Sequence, residues 1–190
     1  MNWHFYKKTI LADSTRYGIN KKQLYGFLIK SIEFRFVFIL RTVAFLKTQP
    51  LLFPLFVIMR FVYGRMKIRY GINIPYNTGI GPGLYIGHFG GIVIHPEVKI
   101  GKNCNLNHCV TIGVAYGGKN PGVPKLGDNV YLGPGCKIFG GITIGNDVAI
   151  GANCVVTKSI PDRSVVVGIP GRIISYKGSG AYVVNKWIEN

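Results

Sequence analysis

Two of the four histidines of this 190-residue chain lie in one segment, LYIGHFGGIVIH, residues 84–95. His88 is surrounded by glycines and aliphatic residues, and no acidic residue stands beside it. An imidazole can take a proton from a hydroxyl near neutral pH, and glycines allow a ligand to approach the backbone closely. His88 is therefore a candidate general base. The alternative is an ordinary packed or surface histidine, and the period of the surrounding sequence helps to decide.

An aliphatic residue recurs every six positions around this segment, with two interruptions. The recurring residues are Ile74, Ile80, Ile86, Ile92, Ile100, Leu106, Ile112, Leu126, Leu132, Ile138, Ile144, Ile150 and Val156. A glycine often follows them, and a second small or apolar residue occurs four positions later. This period is typical of a parallel β-helix, in which three hexads form each triangular coil and stacked coils share one core. The sequence predicts such an all-β core over residues 71–175.

The hexad register predicts the positions of the reactive side chains. His88 and His108 each lie two residues after a hexad aliphatic and three hexads apart, so they should stack on one edge, about 4.8 Å apart along the axis. Cys104, Cys136 and Cys154 occupy the inward small position, which predicts packed, inert thiols. A reaction in which the acceptor hydroxyl attacks its co-substrate directly is therefore favoured over one that passes through a cysteine nucleophile. No acid or cysteine lies at metal-ligand spacing from the histidines, so no metal is expected.

Residues 1–70 form a basic, apolar segment with 13 lysines and arginines against two acidic residues. Asn20 and Gln23 can cap a helix over 20–47 that ends before Pro50, and a second helix is expected over 51–70. The longest uncharged stretch there, 48–59, is shorter than the ~20 residues that a membrane span needs. At the other end, 176–190 is predicted to be a tail that covers the open end of the β-helix.

The basic segment allows two predictions that are compatible with each other. It caps the first coil, or it contacts an anionic membrane surface, because its cations alternate with aromatic and aliphatic residues. Nucleic-acid binding is not expected, since no basic stripe lies on a recognisable motif. No secretory signal is evident, which predicts a cytoplasmic protein, peripheral on the inner face of the membrane if the contact forms.

The hexads, together with GIPGRII after the last coil, resemble those of hexapeptide-repeat acyltransferases. Within that group GLYIGHFGGIVIH, VTIG, PKLGDNVYLGPG and VVVGIPGRII are most similar to stretches of serine acetyltransferases, over about residues 71–175. The resemblance implies a left-handed β-helix that forms homotrimers and binds acetyl-CoA between neighbouring subunits. It also implies that His88 is the catalytic base.

Three positions depart from the serine acetyltransferase pattern. Asn73 replaces an aspartate that pairs with the histidine, Gly87 replaces an acid that holds the serine amine, and Val123 replaces a second histidine. Asn73 could still orient the imidazole of His88. The departures, with the similarity of GHFGGIVI to enzymes of surface-polysaccharide pathways, predict that the acceptor is a sugar hydroxyl. The alternatives are a serine O-acetyltransferase and a non-catalytic scaffold or membrane adaptor.

The remaining predicted site residues follow from this scheme. The acceptor is expected to meet His108 and an inserted loop, VAYGGKNPGVPK (residues 114–125), that overhangs the His88 edge of its own or a neighbouring subunit. Acetyl-CoA is expected to lie against solenoid backbone amides and scattered cations near the last coil. The predicted loop contacts are Tyr116, Lys119 and Asn120, and the predicted acetyl-CoA contacts are Gly113, Gly133, Ala152, Lys158, Arg163 and Arg172.

Overall fold

The structure is a computed structural model that describes residues 2–20 and 22–188. Its N-terminal part is a layer of helices that precedes the first strand. The helices are α1 (Trp3–Arg16), α2 (Leu24–Lys30), α3 (Ile32–Leu46) and α4 (Phe53–Tyr70), with a short 3₁₀ turn at Pro50–Leu52.

The helix that the sequence predicts over 20–47 is interrupted. Asn20 and Gln23 do make reciprocal capping hydrogen bonds, but the backbone of Ser31 is extended and ends α2. The Ser31 hydroxyl then accepts a hydrogen bond from Phe34 N at 3.2 Å and caps α3. Helix α1, which the sequence analysis did not predict, begins at a similar cap on Asn2.

Among the described residues fifteen short strands follow, and all but the last pair in parallel. Sheet 1 contains β1 (Ile72–Asn73), β4 (Ile92–Ile94), β7 (Thr111–Gly113), β10 (Lys137–Phe139) and β13 (Val155–Val156). Sheet 2 contains β2 (Gly79–Ile80), β5 (Lys99–Ile100), β8 (Lys125–Leu126) and β11 (Thr143–Ile144). Sheet 3 contains β3 (Tyr85–Ile86), β6 (Asn105–Leu106), β9 (Tyr131–Leu132), β12 (Ala149–Ile150), β14 (Val165–Val167) and β15 (Arg172–Ser175).

The three sheets enclose the core that the six-residue period predicts. Each of the first four coils contributes one strand to each sheet, and the hexad aliphatics stack in register, as Ile86 does on Leu106 and Leu106 on Leu132. All of them are buried except Ile80, which is half-buried against the helices. The predicted parallel β-helix with an N-terminal helical segment is confirmed.

Buried polar side chains of the helices close the first coil. Asp13 accepts hydrogen bonds from Gly83 N and Leu84 N, both at 2.8 Å, and it pairs with Arg41 at 2.9 Å. Arg41 in turn donates to the carbonyls of Ile80 and Gly81 at 2.7 Å. Burial raises the pKa of the Asp13 carboxyl, and the Arg41 guanidinium opposes that rise.

Strand β3 is an edge strand, and one tyrosine takes the place of its missing neighbour. The Tyr17 hydroxyl accepts a hydrogen bond from Ile86 N at 3.0 Å and donates to Ile86 O at 3.2 Å. Burial raises the pKa of this hydroxyl well above its usual value, so it keeps the proton that it donates. The exposed edge of sheet 3 is thereby blunted where the chain approaches His88.

The C-terminal tail does not cover the open end of the β-helix, so that prediction is wrong. Strand β15 turns back antiparallel on β14. The tail then runs along the edge between sheets 2 and 3, where Ser179 N bonds Asp147 O, Asn105 Nδ2 bonds Tyr182 O and Asn103 bonds Trp187. These contacts pass from Asp147, between β11 and β12, to Asn105 and Asn103 next to β6, and Arg16 of α1 donates a hydrogen bond to Val184 O of the tail.

Candidate active site

The structure brings His88 and His108 together, as the hexad register predicts. They lie on the edge where the chain turns from sheet 3 to sheet 1, here named the histidine edge (residues 87–91, 107–110, 133–136 and 151–154). Their ring centroids are 5.9 Å apart and the rings meet edge to face. Within residues 2–20 and 22–188 neither ring makes a hydrogen bond, and His88 is exposed. An accessible imidazole with free nitrogens can accept a proton from a hydroxyl ligand.

The backbone next to His88 depends on glycine. Gly90 and Gly91 have φ values of 105° and 65°, which side chains rarely adopt, and a Cβ on Gly91 would lie 3.0 Å from Cys109 Sγ. The ring of Phe89 contacts that of Tyr70, with centroids 5.7 Å apart, and ties this turn to the end of α4. The His88 side chain is thus exposed, while the backbone turn that carries it is fixed by the contact between Phe89 and Tyr70.

The two departures nearest His88 have different structural consequences. Asn73 lies exposed on β1, paired with Val93, and in the described part of the chain no hydrogen bond joins it to His88. A Cβ on Gly87 would lie 2.8 Å from Asn107 Oδ1, so an acid at this position would displace that amide. The predicted orienting role of Asn73 stays a prediction.

Lys137, the first residue of β10, is a cation beside this edge that the sequence analysis missed. Its Nζ donates to Cys109 O at 2.6 Å and to Thr111 Oγ1 at 3.0 Å, which places it next to His108. The hexad register offered a signal, because the residue before each hexad aliphatic faces outward and Lys137 precedes Ile138. The pairing of Lys137 with Thr111 was not predicted because the inserted loop breaks the regular spacing between the two strands.

The inserted loop leaves the β-helix at a different edge from His88. Strand β7 runs from the histidine edge to the edge between sheets 1 and 2, and the loop begins there. Asn120 Nδ2 donates to Thr157 O at 3.1 Å and holds the loop to its own subunit, whereas Tyr116 is 91% exposed. Within one chain the structure therefore does not bring Tyr116, Lys119 and Asn120 to His88.

Of the residues predicted to meet acetyl-CoA through the backbone, two lie on the histidine edge. Ala152 stands in register with His88 and His108, because Ile86, Leu106, Leu132 and Ile150 stack in sheet 3. Gly133 lies one coil before it, and a Cβ there would meet Ala152 N at 2.8 Å. Gly113 lies at the far end of β7, where a Cβ would meet the Phe139 ring at 2.6 Å. Coil packing by itself requires both glycines.

The predicted cations separate into two groups. Lys158 and Arg172 line one cavity of about 110 Å³ beside β13. Arg163 lines another, of about 260 Å³, together with Asp147 and Lys177. Arg163 therefore lines a different cavity from Lys158 and Arg172 and does not share their surface.

The cysteines occupy the positions that the register predicts. Cys104, Cys136 and Cys154 are buried, and burial raises the pKa of the Cys104 and Cys136 thiols to about 12. Cys109 is exposed, with a φ of 58°. Among the described residues, no cluster of three or more histidine, cysteine or acidic side chains is placed to hold a metal ion.

Comparisons with known proteins agree with this architecture. The family model for the bacterial transferase hexapeptide (six repeats) matches residues 124–158. A serine acetyltransferase from Staphylococcus xylosus is 39% identical over 123 residues, which are 65% of this chain and 57% of that protein. The chain thus spans little more than half the length of the curated relatives it matches.

Solved structures extend the similarity through the helices. The serine acetyltransferase of Neisseria gonorrhoeae in complex with serine is 28% identical, with a TM-score of 0.72 over 89% of this chain and 69% of that one. The enzyme of Brucella abortus in complex with coenzyme A is 26% identical, with a TM-score of 0.70 over 93% and 68%. The predicted left-handed β-helix and the predicted resemblance are confirmed.

The same comparisons overturn one prediction. The relatives by sequence and by structure carry the name serine acetyltransferase, and not that of a polysaccharide-modifying enzyme. The expectation of a sugar hydroxyl in a surface-polysaccharide pathway is therefore wrong. It rested on the losses at Asn73, Gly87 and Val123, which show that individual acceptor contacts differ and do not by themselves identify another acceptor.

Proposed function

We propose that this chain, a hexapeptide-repeat protein similar to serine acetyltransferases, transfers an acetyl group from acetyl-CoA to the hydroxyl of serine. The observation that carries the proposal is the exposed His88, with unengaged ring nitrogens, on the edge of a β-helix that is similar to serine acetyltransferases. The similarity to an enzyme in complex with coenzyme A supports the donor.

The proposed reaction is direct transfer. His88 takes the proton from the hydroxyl of the substrate serine while the hydroxyl oxygen attacks the thioester carbonyl of acetyl-CoA. The carbon–sulfur bond then breaks, coenzyme A leaves as the thiol with the proton from His88, and O-acetylserine forms. The buried thiols, with pKa values raised to about 12 at Cys104 and Cys136, support this route over an acyl-cysteine intermediate.

A positive charge beside the histidine edge supports an anionic ligand there. The Lys137 ammonium lies close to His108 and is suited to bind the carboxylate of an amino acid. Ala152 continues the same edge three coils beyond His88, about 14 Å along the axis, which gives an extended donor such as acetyl-CoA a path. Lys158 and Arg172 are proposed phosphate contacts near the last coil.

The predicted homotrimer belongs to this proposal. The inserted loop lies at a different edge from His88 within one subunit, so Tyr116, Lys119 and Asn120 can reach an acceptor only on a neighbouring subunit. A trimer in which this loop faces the next subunit's histidine edge would complete the site.

Acetyl-CoA turnover with L-serine tests the proposal. Purified protein is mixed with both substrates, and thiol release and O-acetylserine are measured. We expect turnover, and a loss of about 10²–10⁴-fold in kcat in His88→Ala, because a general base contributes that much. His4→Ala removes an exposed histidine of α1 and should retain full activity.

Two results would contradict the proposal. Absence of turnover with L-serine in a folded, trimeric protein would exclude serine as the acceptor. Equal kcat in His88→Ala and the unaltered protein would exclude His88 as the base and favour the non-catalytic scaffold.

A further inference from the structure

Helix α4 exposes an apolar surface on the side that faces away from the β-helix. Phe56, Met59, Tyr63, Met66 and Tyr70 pack inward at spacings of three and four residues, as one face of a helix does. The opposite side is apolar as well. This α4 outer face consists of Val57, Ile58, Phe61 and Ile68 on α4, together with Leu51 in the 3₁₀ turn that precedes the helix.

These side chains are exposed to an unusual degree for their size. Leu51 is 96% exposed, Phe61 is 66% exposed and Ile68 is 82% exposed. Single exposed apolar residues are common, but a row of them along one helix marks a surface that contacts an apolar phase or partner. Within the described residues, no helix is both long and apolar enough to cross a membrane.

The charges around this face are all of one sign. Arg60, Arg65 and Arg69 are exposed on α4, and the Arg65 guanidinium lies over the Phe61 ring, 5.3 Å from its centroid. The sequence contains no acidic residue between Glu33 and Glu97. Among the residues that the structure describes, none of these three arginines forms an ion pair with a carboxylate, so the cations that border the apolar face are not neutralised by one.

This charge pattern distinguishes between the possible occupants. If two copies of the chain met through their α4 outer faces, arginines would face arginines without an acidic partner, which is unfavourable. An anionic lipid surface instead attracts the arginines while its acyl boundary takes up the aliphatic and aromatic side chains.

We propose that the α4 outer face docks the protein on an anionic lipid bilayer, with α4 lying in the plane of the interface. The surface is independent of the acetyl-transfer proposal, since none of its residues lies on the histidine edge. The cytoplasmic leaflet, which carries anionic lipids, has the required charge.

Vesicle flotation of the full-length protein tests this surface. We expect the protein to float with vesicles of phosphatidylcholine and phosphatidylglycerol, and to float much less with phosphatidylcholine alone. Replacing Arg60, Arg65 and Arg69 together by Gln should weaken partitioning about 100-fold, at about fivefold for each cation. Phe61→Ser with Ile68→Ser should weaken it at least about tenfold.

Matched variants of exposed residues elsewhere control for net charge and hydropathy. Replacing Lys99, Lys125 and Lys177 together by Gln removes the same charge from other surfaces, and Ile174→Ser with Val184→Ser removes exposed aliphatics near the C-terminus. Both should float like the unaltered protein. Circular dichroism of every variant should show an intact fold, because all these side chains are exposed.

Three results would overturn the proposal. The proposal is wrong if the unaltered protein does not float with the anionic vesicles, or if the α4 variants float as well as the controls do. A change of oligomer mass in the α4 variants without lipid would show that the face binds another copy of the chain. In each case acetyl transfer to serine could still be measured, so the two proposals fail separately.

Discussion

The two ends of the β-helix are closed in different ways. At the first coil, buried side chains of the helices bond the free edges of all three sheets: Tyr63 at Ile74 O, Arg41 at Ile80 O and Tyr17 at Ile86. At the last coil, β15 pairs only with β14, and Ile169, Ile174 and Tyr176 remain exposed.

This difference indicates which part of the candidate site is most strongly fixed by surrounding contacts. The first coil carries His88, and its strand is bonded on one side by Tyr17 and on the other by β6. Lys158 lies on the last coil and Arg172 on β15, and their neighbours include exposed residues. We expect His88 to be rigidly placed. The last coil, near which Lys158 and Arg172 are proposed to bind acetyl-CoA, should unfold locally first, because regions with few buried contacts open at lower free energy.

The largest effect is expected from breaking the buried ion pair at the first coil. Arg41→Ala leaves the Asp13 carboxylate buried without its cation and two carbonyls without a donor. We expect the free energy of unfolding to fall by about 3–5 kcal/mol, measured by chemical denaturation.

Lys186→Ala is the control, on the C-terminal tail. Its ion pair with Asp147, at 3.3 Å, is partly exposed, so its loss should cost about 0–1 kcal/mol. Equal losses in the two variants would show that the buried pair at the first coil contributes no more than an exposed pair does. If Arg41→Ala does not fold, Asp13→Asn, which keeps an oxygen for the amides of Gly83 and Leu84, gives a milder measurement of the same pair.

A smaller effect is expected from removing the hydroxyl that blunts β3. Tyr17→Phe leaves the amide and carbonyl of Ile86 without this partner, which should lower the free energy of unfolding by about 1–3 kcal/mol. Tyr182→Phe, a half-exposed tyrosine of the tail whose ring stacks on Tyr131, should change it by less than about 0.5 kcal/mol. Tyr17→Phe should also lower acetyl transfer more than Tyr182→Phe, because β3 leads directly to His88.

The smallest effect is a difference in labelling between two buried thiols. Cys104 lies near the first coil and Cys154 near the last, and both are buried. In mild denaturant we expect a small thiol reagent to modify Cys154 about tenfold faster than Cys104, equivalent to about 1.4 kcal/mol in opening. Peptide mass spectrometry follows both sites, with the exposed Cys109 as the fast reference. Faster labelling of Cys104 would reverse our ranking of the two ends.

The β-helix and the stacking of its edges could be predicted from the hexad period alone. Each hexad buries one aliphatic, so the period specifies which residues face the core and which residues lie in register. His88 and His108 follow Ile86 and Leu106 by the same two residues, and for that reason their meeting could be predicted. The buried positions of Cys104, Cys136 and Cys154 follow from the same register.

The way in which the non-repeating segments contact that scaffold could not be predicted from any local pattern. Ser31 divides a helix that the pattern joined, the tail follows an edge where the sequence predicted a cover, and Lys137 reaches Cys109 O across an inserted loop. These contacts depend on pairs such as Tyr17 and Ile86, far apart in the chain, whose geometry no local period records. A repeat specifies its own stacking because every coil has the same neighbours, whereas a cap or a tail is placed by the particular polar groups that it satisfies.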